Sequence, residues 1–255
     1  MHRPRVIPII SLIENRIVST QQFKSPIYIG DPINTIKLFN DKYVDEIILL
    51  DIRSSFKGNL PNYKLIESIS SECFMPLSYG GAIKSLSQAK EIFDLGIEKI
   101  ILNSICYENI KLISEISTVY GSQSVVVSLD YKINLFRKII FNSQSLKKKH
   151  KIDLKKHLKT LEGLGMGELL ITCINNNGRF SGYDYSLSSF VKELNVPTVI
   201  NGGLSSLSDM KEAFSYGFNA VAGTSFFVFQ KNNTNSILIS YPNSNNIKEL
   251  INEGM

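Results

Sequence analysis

Two glycine pairs in this chain have the chemistry needed to bind phosphate groups. Gly80-Gly81 and Gly202-Gly203 each follow a short apolar run, and a residue without Cβ lets backbone N–H groups come close to an anion. Each pair is followed further along the chain by a hydroxyl-bearing dipeptide, Asn103-Ser104 and Thr224-Ser225. A helix beginning at such a serine would direct more N–H groups at the same anion. We expect two phosphate sites, suited to an elongated substrate with a phosphate at each end, although such glycines can also serve only as tight turns.

One carboxylate is the candidate for acid–base chemistry. Asp130 ends the run VVVSLD at 125–130, so we expect it at the rim of a buried strand, either as a general acid or base or as a loop anchor. The equivalent residue in the first half of the chain is Ser11, because VIPIIS at 6–11 superposes on VVVSLD. Serine does not titrate near neutral pH without an activating base. His150 and His157 are expected to be solvated rather than catalytic. Further candidates for contacting a substrate follow other predicted strands: Asp51, Asn175 and Asn177.

Four charged residues form a separate set at the opposite ends of the strands. Arg5, Glu46, Lys99 and Glu168 each stand where a predicted strand begins. If the strands close into a barrel, two cations and two anions would meet around its axis. Charges inside a protein are costly unless they pair. The set therefore predicts either a stabilising network or a functional entrance at the bottom of the barrel.

An internal repeat indicates how these residues are positioned. Residues 75–105 align without a gap on residues 196–226, with identical residues such as the pair Pro76 and Pro197. Each copy reads as strand, glycine loop, helix and strand, which predicts two related half-barrels, roughly 1–120 and 121–255. Apolar runs predict eight strands at 5–12, 46–51, 75–79, 99–103, 124–131, 168–174, 197–201 and 220–224. Helical patterns separate them, for example at 85–95, 109–120, 154–164 and 206–216.

Eight strands alternating with helices predict a single α/β domain over 1–255, a (β/α)8 TIM barrel, with its active site at the carboxyl ends of the strands. The chain has 255 residues, 43% of them hydrophobic, without an apolar run long enough to span a membrane. We expect a cytoplasmic protein without a metal or other cofactor, because neither a leader pattern nor a Cys/His cluster is evident. The net charge is +5, and the lysine-rich segment 147–151 suits solvent, an anionic substrate or an acidic partner better than nucleic acid.

Several stretches spread over essentially the whole chain match the pattern of one known family. They are GDPI at 30–33, the LDI that ends in Ile52, MPLSYGGAI at 75–83, LNS at 102–104, GSQSVVVSLD at 121–130, the SGYD within 177–184 and INGG at 200–203. With these stretches the chain resembles the cyclase subunit of imidazole glycerol phosphate synthase. The stretches at 121–130 and SGYD are specific to that family and its near relatives.

The resemblance implies a (β/α)8 barrel with a class I glutaminase docked on its bottom face. In that family, ammonia passes along the barrel axis to the top and reacts with a substrate that carries two phosphates. A ring of four charged residues gates its entrance, and Arg5, Glu46, Lys99 and Glu168 match that ring at every position. The resemblance therefore implies an ammonia conduit in a synthase subunit of the lyase class, which acts in histidine biosynthesis.

The top face departs from the family pattern. The first catalytic aspartate of the family is Ser11 here, while the second is retained as Asp130. The substrate-contacting lysine of the first loop is Ser19, the third glycine of the strand-3 loop is Ala82, and the acidic strand-6 loop reads Asn-Asn-Asn at 175–177. Loss of one of two carboxylates typically lowers the rate of acid–base catalysis by powers of ten.

This division resembles a paralogue branch associated with glycosyl amidation in surface-polysaccharide (LPS or O-antigen) gene clusters, whose members share stretches like 23–34 and 72–83. Three hypotheses follow. The chain could receive ammonia from a glutaminase and supply it to a sugar amidotransferase. It could be a histidine-pathway cyclase that tolerates Ser11. It could also be a non-catalytic activator or scaffold of the glutaminase.

Overall fold

The structure is a computed structural model that describes residues 3–54, 58–136, 139–143, 148–150, 152–230, 233–243, 245–247 and 249. Of the basic segment 147–151, the two end residues lie outside the described residues. The described chain contains twelve strands: β1 (Arg5–Ile13), β2 (Arg16–Gln21), β3 (Lys24–Gly30), β4 (Ile47–Asp51), β5 (Leu77–Gly80), β6 (Lys99–Leu102), β7 (Val125–Ile133), β8 (Ile139–Ser143), β9 (Lys148–His150), β10 (Glu168–Cys173), β11 (Thr198–Asn201) and β12 (Ala220–Gly223).

Eight of these strands form a closed parallel barrel in the order β1, β4, β5, β6, β7, β10, β11 and β12, and β12 pairs again with β1. The prediction of a (β/α)8 barrel is confirmed, and every predicted strand begins and ends within two residues of the corresponding observed strand. Two antiparallel additions were not predicted. A hairpin of β2 and β3 continues from β1, and β8 and β9 extend β7 beyond the barrel.

Helices lie between the strands and around the barrel, and the described ones are α1 (Pro32–Asn40), α2 (Tyr63–Ser70), α3 (Leu86–Asp94), α4 (Ile105–Glu108), α5 (Lys111–Tyr120), α6 (Leu154–Gly163), α7 (Ser188–Val191), α8 (Leu207–Ser215) and α9 (Ser225–Val228). Side-chain caps fix several helix starts, as the sequence favours. Asp31 accepts from the Asn34 N–H at 3.0 Å and Pro32 occupies the first turn of α1. Ser206 and Asp209 form a reciprocal capping box at α8. None of the described helices has the length and apolar character needed to span a membrane.

Alternation along the strands divides the apolar residues into two clusters. Residues that face outward pack beneath the helices in one large core, which includes Ile10, Leu49 and Leu169. Residues that face inward, such as Ile9 and Val126, form a smaller cluster inside the barrel. Because side chains alternate with period two, every barrel strand except β5 contributes to both clusters. The site is therefore carried by the inward-facing residues at the two ends of each strand.

Two backbone segments pack closely together just before β10, at Gly167. A methyl group there would lie 2.0 Å from the carbonyl oxygen of Ser122, so one backbone segment would have to move. We expect Gly167→Ala to lower the free energy of unfolding by about 2–3 kcal/mol in denaturant titrations. The control is Gly163→Ala at the end of α6, where nothing lies within 4 Å, and it should raise stability by roughly 0.5–1 kcal/mol. Equal effects of the two substitutions would contradict this account.

Candidate functional site

The four charged residues predicted at the bottom of the barrel form a closed ring. Arg5 donates to both Glu46 and Glu168, and Lys99 Nζ lies 3.0 Å from both Glu46 oxygens and 2.9 Å from Glu168 Oε2. Each cation thus bridges the two carboxylates. Ser78 on β5 also donates to Glu46 at 2.9 Å, and this member of the ring was not predicted.

Burial and ion pairing have opposite effects on the pKa values of Glu168 and Arg5 in this ring. Burial alone would raise the pKa of Glu168, but the charges of Arg5 and Lys99 outweigh it and lower that pKa. Burial likewise acts to lower the pKa of Arg5, and the two carboxylates raise it above its usual value. Both effects favour the ionised forms of Glu168 and Arg5. Below the ring, a concavity of about 440 Å³ opens to the surface and is lined by Arg3, Asp45 and Pro197 as well as by ring members.

An apolar layer separates the ring from the top of the barrel. It consists of inward-facing aliphatic side chains, and β12 contributes only the small residues Ala220 and Ala222. The layer contains these members: Ile7, Ile9, Ile48, Ile101, Val126, Leu170, Val199, Ala220 and Ala222. Charged species are disfavoured in such a layer, whereas a small neutral molecule suits it.

Polar side chains form the upper layer of the barrel interior, on neighbouring strands. Asn103 Nδ2 donates to Asp130 Oδ2 at 3.0 Å and to the Ser128 carbonyl at 3.0 Å. Thr172 also donates to Asp130, and Asn201 Nδ2 donates to the Thr172 hydroxyl at 3.2 Å. Asp130 therefore lies in a continuous polar chain from β6 to β11. Thr172, Ser128 and Asn201 were not among the predicted site residues, and only their alternation with the inward-facing aliphatic residues could have indicated them.

Asp130 is 9% exposed, and burial raises its pKa to about 7, which outweighs the hydrogen bonds from Asn103 and Thr172. A carboxyl that titrates near neutral pH suits general acid–base chemistry. Ser11 faces inward on β1, which is opposite β7 in the strand order, and it is 8% exposed. Ser11 and Asp130, the equivalent residues of the two halves of the chain, therefore lie on opposite strands of the barrel, and Ser11 adds no second titratable group.

The predicted glycine loops adopt backbone conformations that favour glycine. Gly81, Gly202 and Gly203 all have positive φ, at 143°, 95° and 113°. A Cβ on Gly203 would lie 2.0 Å from the Gly182 carbonyl oxygen. Their close packing explains the glycines without requiring an anion, so the two phosphate sites stay a prediction.

The hydroxyl partners of the glycine loops lie at the starts of short helices, as expected. Ser104 precedes α4, and Thr224 precedes α9, which begins with Ser225. The Ser225 hydroxyl shares a hydrogen bond of 2.9 Å with Ser19, the residue at the position of the family's substrate-contacting lysine. Two hydroxyls therefore occupy the place where a cation was expected from the family pattern.

Three predicted site residues have structural partners. Asp51 accepts from the backbone N–H groups of Arg53 and Ser54, at 3.2 and 2.9 Å, and so holds its own loop. The Asn175 side chain exchanges two hydrogen bonds with the backbone of Ile133, at 2.8 and 3.0 Å. The backbone carbonyl of Asn175 accepts a hydrogen bond from the Gln22 side chain at 2.8 Å.

Asn177 continues this connection, because its carbonyl accepts from the Gln22 N–H at 2.9 Å. Asn175 and Asn177 thus join the β2–β3 hairpin to the extension of β7. A role of Asp51, Asn175 or Asn177 towards a substrate stays a prediction.

The two histidines differ from the expectation of solvated side chains. The His150 ring stacks on Tyr107 with 3.9 Å between ring centroids, and the His157 ring is nearly parallel to Tyr107 at 5.7 Å. Burial, followed by the nearby His150, lowers the pKa of His157. Both rings are half-buried because β9 folds back against α4 and α6. Among the described residues, no group of three or more His, Cys, Asp or Glu is arranged to bind a metal.

The fold and its layered axis define a (β/α)8 barrel protein with a charged ring at the bottom and a polar layer at the top. The chain belongs to the family described as histidine biosynthesis protein, whose model matches residues 5–232, and within it to the imidazole glycerol phosphate synthase HisF subunits.

Three relatives show how it stands among the HisF subunits. A provisionally named HisF subunit from Leptospira borgpetersenii is 41% identical over 249 residues, covering 95% of this chain and 96% of the relative. A provisionally named HisF3 subunit from Vibrio vulnificus is 40% identical over 255 residues, covering 98% and 97%. The HisF subunit from Dictyoglomus turgidum is 32% identical over 226 residues, covering 88% and 90%.

The ring can be tested by removing one cation. We expect Lys99→Met to lower the free energy of unfolding by about 2–3 kcal/mol, because two buried carboxylates lose a shared partner. The control is Lys155→Met, which breaks the exposed pair with Glu193 at 2.7 Å and should have a much smaller effect on stability. Denaturant titrations measure both values. A loss for Lys99→Met no larger than the loss for Lys155→Met would contradict a tightly paired ring.

Asp130 should make stability depend on pH in an unusual direction. Its pKa is about 7 in the folded protein and ~4 when unfolded, so between these values the folded state binds more protons. Stability contributed by this group must therefore fall as pH rises towards 7 and beyond. We expect Asp130→Asn to be more stable than the wild type above pH ~8, by up to about 4 kcal/mol, and the difference to shrink towards pH ~4. Unfolding titrations across this range measure it, and a pH-independent difference would contradict the assignment.

Proposed function

We propose that this protein receives ammonia from a class I glutaminase docked on the bottom of the barrel and delivers it at the top. In this proposal the ammonia acceptor is handled by a sugar amidotransferase in surface-polysaccharide biosynthesis. The observation that carries the proposal is the contrast between the two ends of the barrel. The charged ring at the bottom is complete, while the upper layer offers Asp130 without a second carboxylate opposite it.

The axis has the polarity that ammonia transfer requires. A paired ionic ring at the entrance can admit a small polar molecule, and the apolar layer above it disfavours ammonium relative to neutral ammonia. The concavity of about 440 Å³ below the ring supports docking of a partner on this face. Ammonia that enters there and crosses the apolar layer would reach the polar layer around Asp130.

The amidation role rests on the resemblance of this chain to the paralogue branch. The two relatives that are 40–41% identical are provisionally named, and one of them is numbered HisF3, whereas the Dictyoglomus HisF, whose name is not provisional, is 32% identical. This gradient supports membership of a branch distinct from the ordinary HisF subunit. Ser11, Ser19 and Ala82 support the same interpretation, because each replaces a residue type that the family pattern uses at the top face.

The second candidate is a histidine-pathway cyclase, and the environment of Asp130 favours it. Its raised pKa of about 7 suits a single group that acts first as acid and then as base. The two glycine loops would suit the phosphates of a bis-phosphate substrate. Ser11 is the residue that distinguishes this candidate from the first.

Turnover of the histidine-pathway bis-phosphate with ammonium, in wild type and in Ser11→Asp, separates the two candidates. We expect no measurable turnover in the wild type and a gain in Ser11→Asp, because the second carboxylate then returns opposite Asp130. The matched control is Ser11→Asn, because asparagine is as large as aspartate but carries no charge. This variant should stay inactive. Robust turnover by the wild type would show that Asp130 suffices and would make the protein a cyclase.

A further inference from the structure

Two lysines lie on the strands that extend β7 beyond the barrel. Lys132 lies near the end of β7 and is half-buried, and Lys149 lies in β9 and is exposed. Among the described residues, neither lysine has a carboxylate within ion-pair distance. Both cations are therefore available to an anion from outside the chain.

The strand pairing shows which way these two lysines face. In an antiparallel sheet, residues directly opposite each other project from the same face, and side chains alternate along each strand. Asp130 on β7 pairs with Asn142 on β8, and Asn142 pairs with Lys149 on β9. Lys132 follows Asp130 by two residues. Lys132 and Lys149 therefore project from the same face of the extension as Asp130, which points into the barrel.

The opposite face of the extension supports this orientation, because it packs against the outer layer of the barrel. Tyr131 pairs with Phe141, and both side chains are buried in the large outer core. Phe141 pairs in turn with His150, whose ring stacks on Tyr107 of α4. Lys149 precedes His150 in β9, so its side chain faces the other way, over the top of the barrel.

The extension lies above the end of β6. β6 pairs with β7 at Val125–Val127, whereas β8 pairs with β7 further along, at Asp130–Ile133. The other edge of β7 is occupied by β10 as far as Tyr131. β8 and β9 therefore continue the edge that β6 leaves. This places them over the Asn103-Ser104 segment that follows β6, where the sequence predicts a phosphate.

We propose that Lys132 and Lys149 bind the phosphate group of a small-molecule ligand at the rim of the barrel mouth. β7 and β9 are separated by two strand spacings, about 10 Å, so the two long side chains can converge on one anion between them. A pair of cations without a carboxylate also makes this side of the mouth attractive to anions. The inference goes beyond the proposed function and holds for either candidate, because it concerns a ligand's phosphate and not ammonia.

The number of cations favours a phosphate over a carboxylate. A phosphate monoester carries a charge of about −1.5 to −2 at neutral pH, which two lysines match, and lysine is a common phosphate ligand. The top face also has Ser19 at the position where the family pattern has a substrate-contacting lysine. The two lysines of the extension would bring positive charge to the same mouth from its opposite side.

The first test is phosphate binding, followed at the lysine side chains by NMR. Inorganic phosphate is the probe, added to protein with a 15N-labelled backbone and 13C-labelled lysine, and acetate at the same ionic strength is the control anion. We expect saturable shifts of the Lys132 and Lys149 signals with phosphate, and much smaller shifts with acetate. The affinity should fall about tenfold in Lys149→Gln, where Lys132 reports binding, and should be retained in Lys149→Arg.

The matched control is Lys90→Gln, because Lys90 is exposed on α3 outside the barrel and its loss removes the same charge. It should leave the phosphate affinity unchanged, whereas Lys132→Gln should weaken binding as Lys149→Gln does. Equal affinities of Lys90→Gln and Lys149→Gln, or equal shifts with both anions, would overturn the site. Phosphate that shifts the backbone signals of the glycine loops and leaves both lysine signals unmoved would overturn it too.

Discussion

The ionic ring at the bottom of the barrel is the interaction on which the rest of the account depends. Four charged side chains lie close together at the end of the barrel, and each cation contacts both carboxylates. Replacing such a ring by well-packed apolar residues is often neutral or stabilising in proteins, so stability alone is weak grounds for having it. In the proposed function the ring is a polar entrance to the apolar layer, which is a role that aliphatic side chains could not fill. The ring is therefore the structural feature on which the proposed ammonia transfer depends.

The order of layers along the axis follows from the period of the strands. Because side chains alternate, the successive inward positions of a strand lie at successive levels of the barrel axis. On β10, for example, Glu168, Leu170 and Thr172 occupy the three levels in turn. A change of one residue in register would exchange these side chains with those of the outer core. The same register that buries the core thus also sets the polarity of the axis.

Much of the fold could be predicted because the barrel strands are continuous aliphatic runs, and the ring because its four residues each begin such a run. The β2–β3 hairpin could not, since its turn places Gln22 and Phe23 at φ values of 52° and 61° without the Asn or Gly that usually marks such a turn. Most of β3 is also exposed, so its sequence lacks the alternation of a half-buried strand.

At the site, Asp130 could be predicted from its position at the end of a strand. Asn175 was predicted to contact substrate, yet its side chain pairs with the backbone of Ile133, a long-range contact that composition and spacing do not encode. Thr172 and Ser78 were missed because a small hydroxyl residue inside an aliphatic strand gives little sign of a site beyond its alternation with aliphatic residues. The charged side chain that each one contacts shows that it belongs to the site.

The most direct measurement of the central claim is an isotope competition in the complete system. The protein, a glutaminase partner and the acceptor enzyme would be supplied with glutamine labelled with 15N in its amide group, in the presence of excess unlabelled ammonium. Transfer along the barrel axis predicts a product whose new nitrogen is mainly 15N, and equilibration with unlabelled ammonium when the ring is opened by Lys99→Met. A product that carries the isotope ratio of the bulk solution in the wild-type system would contradict the account.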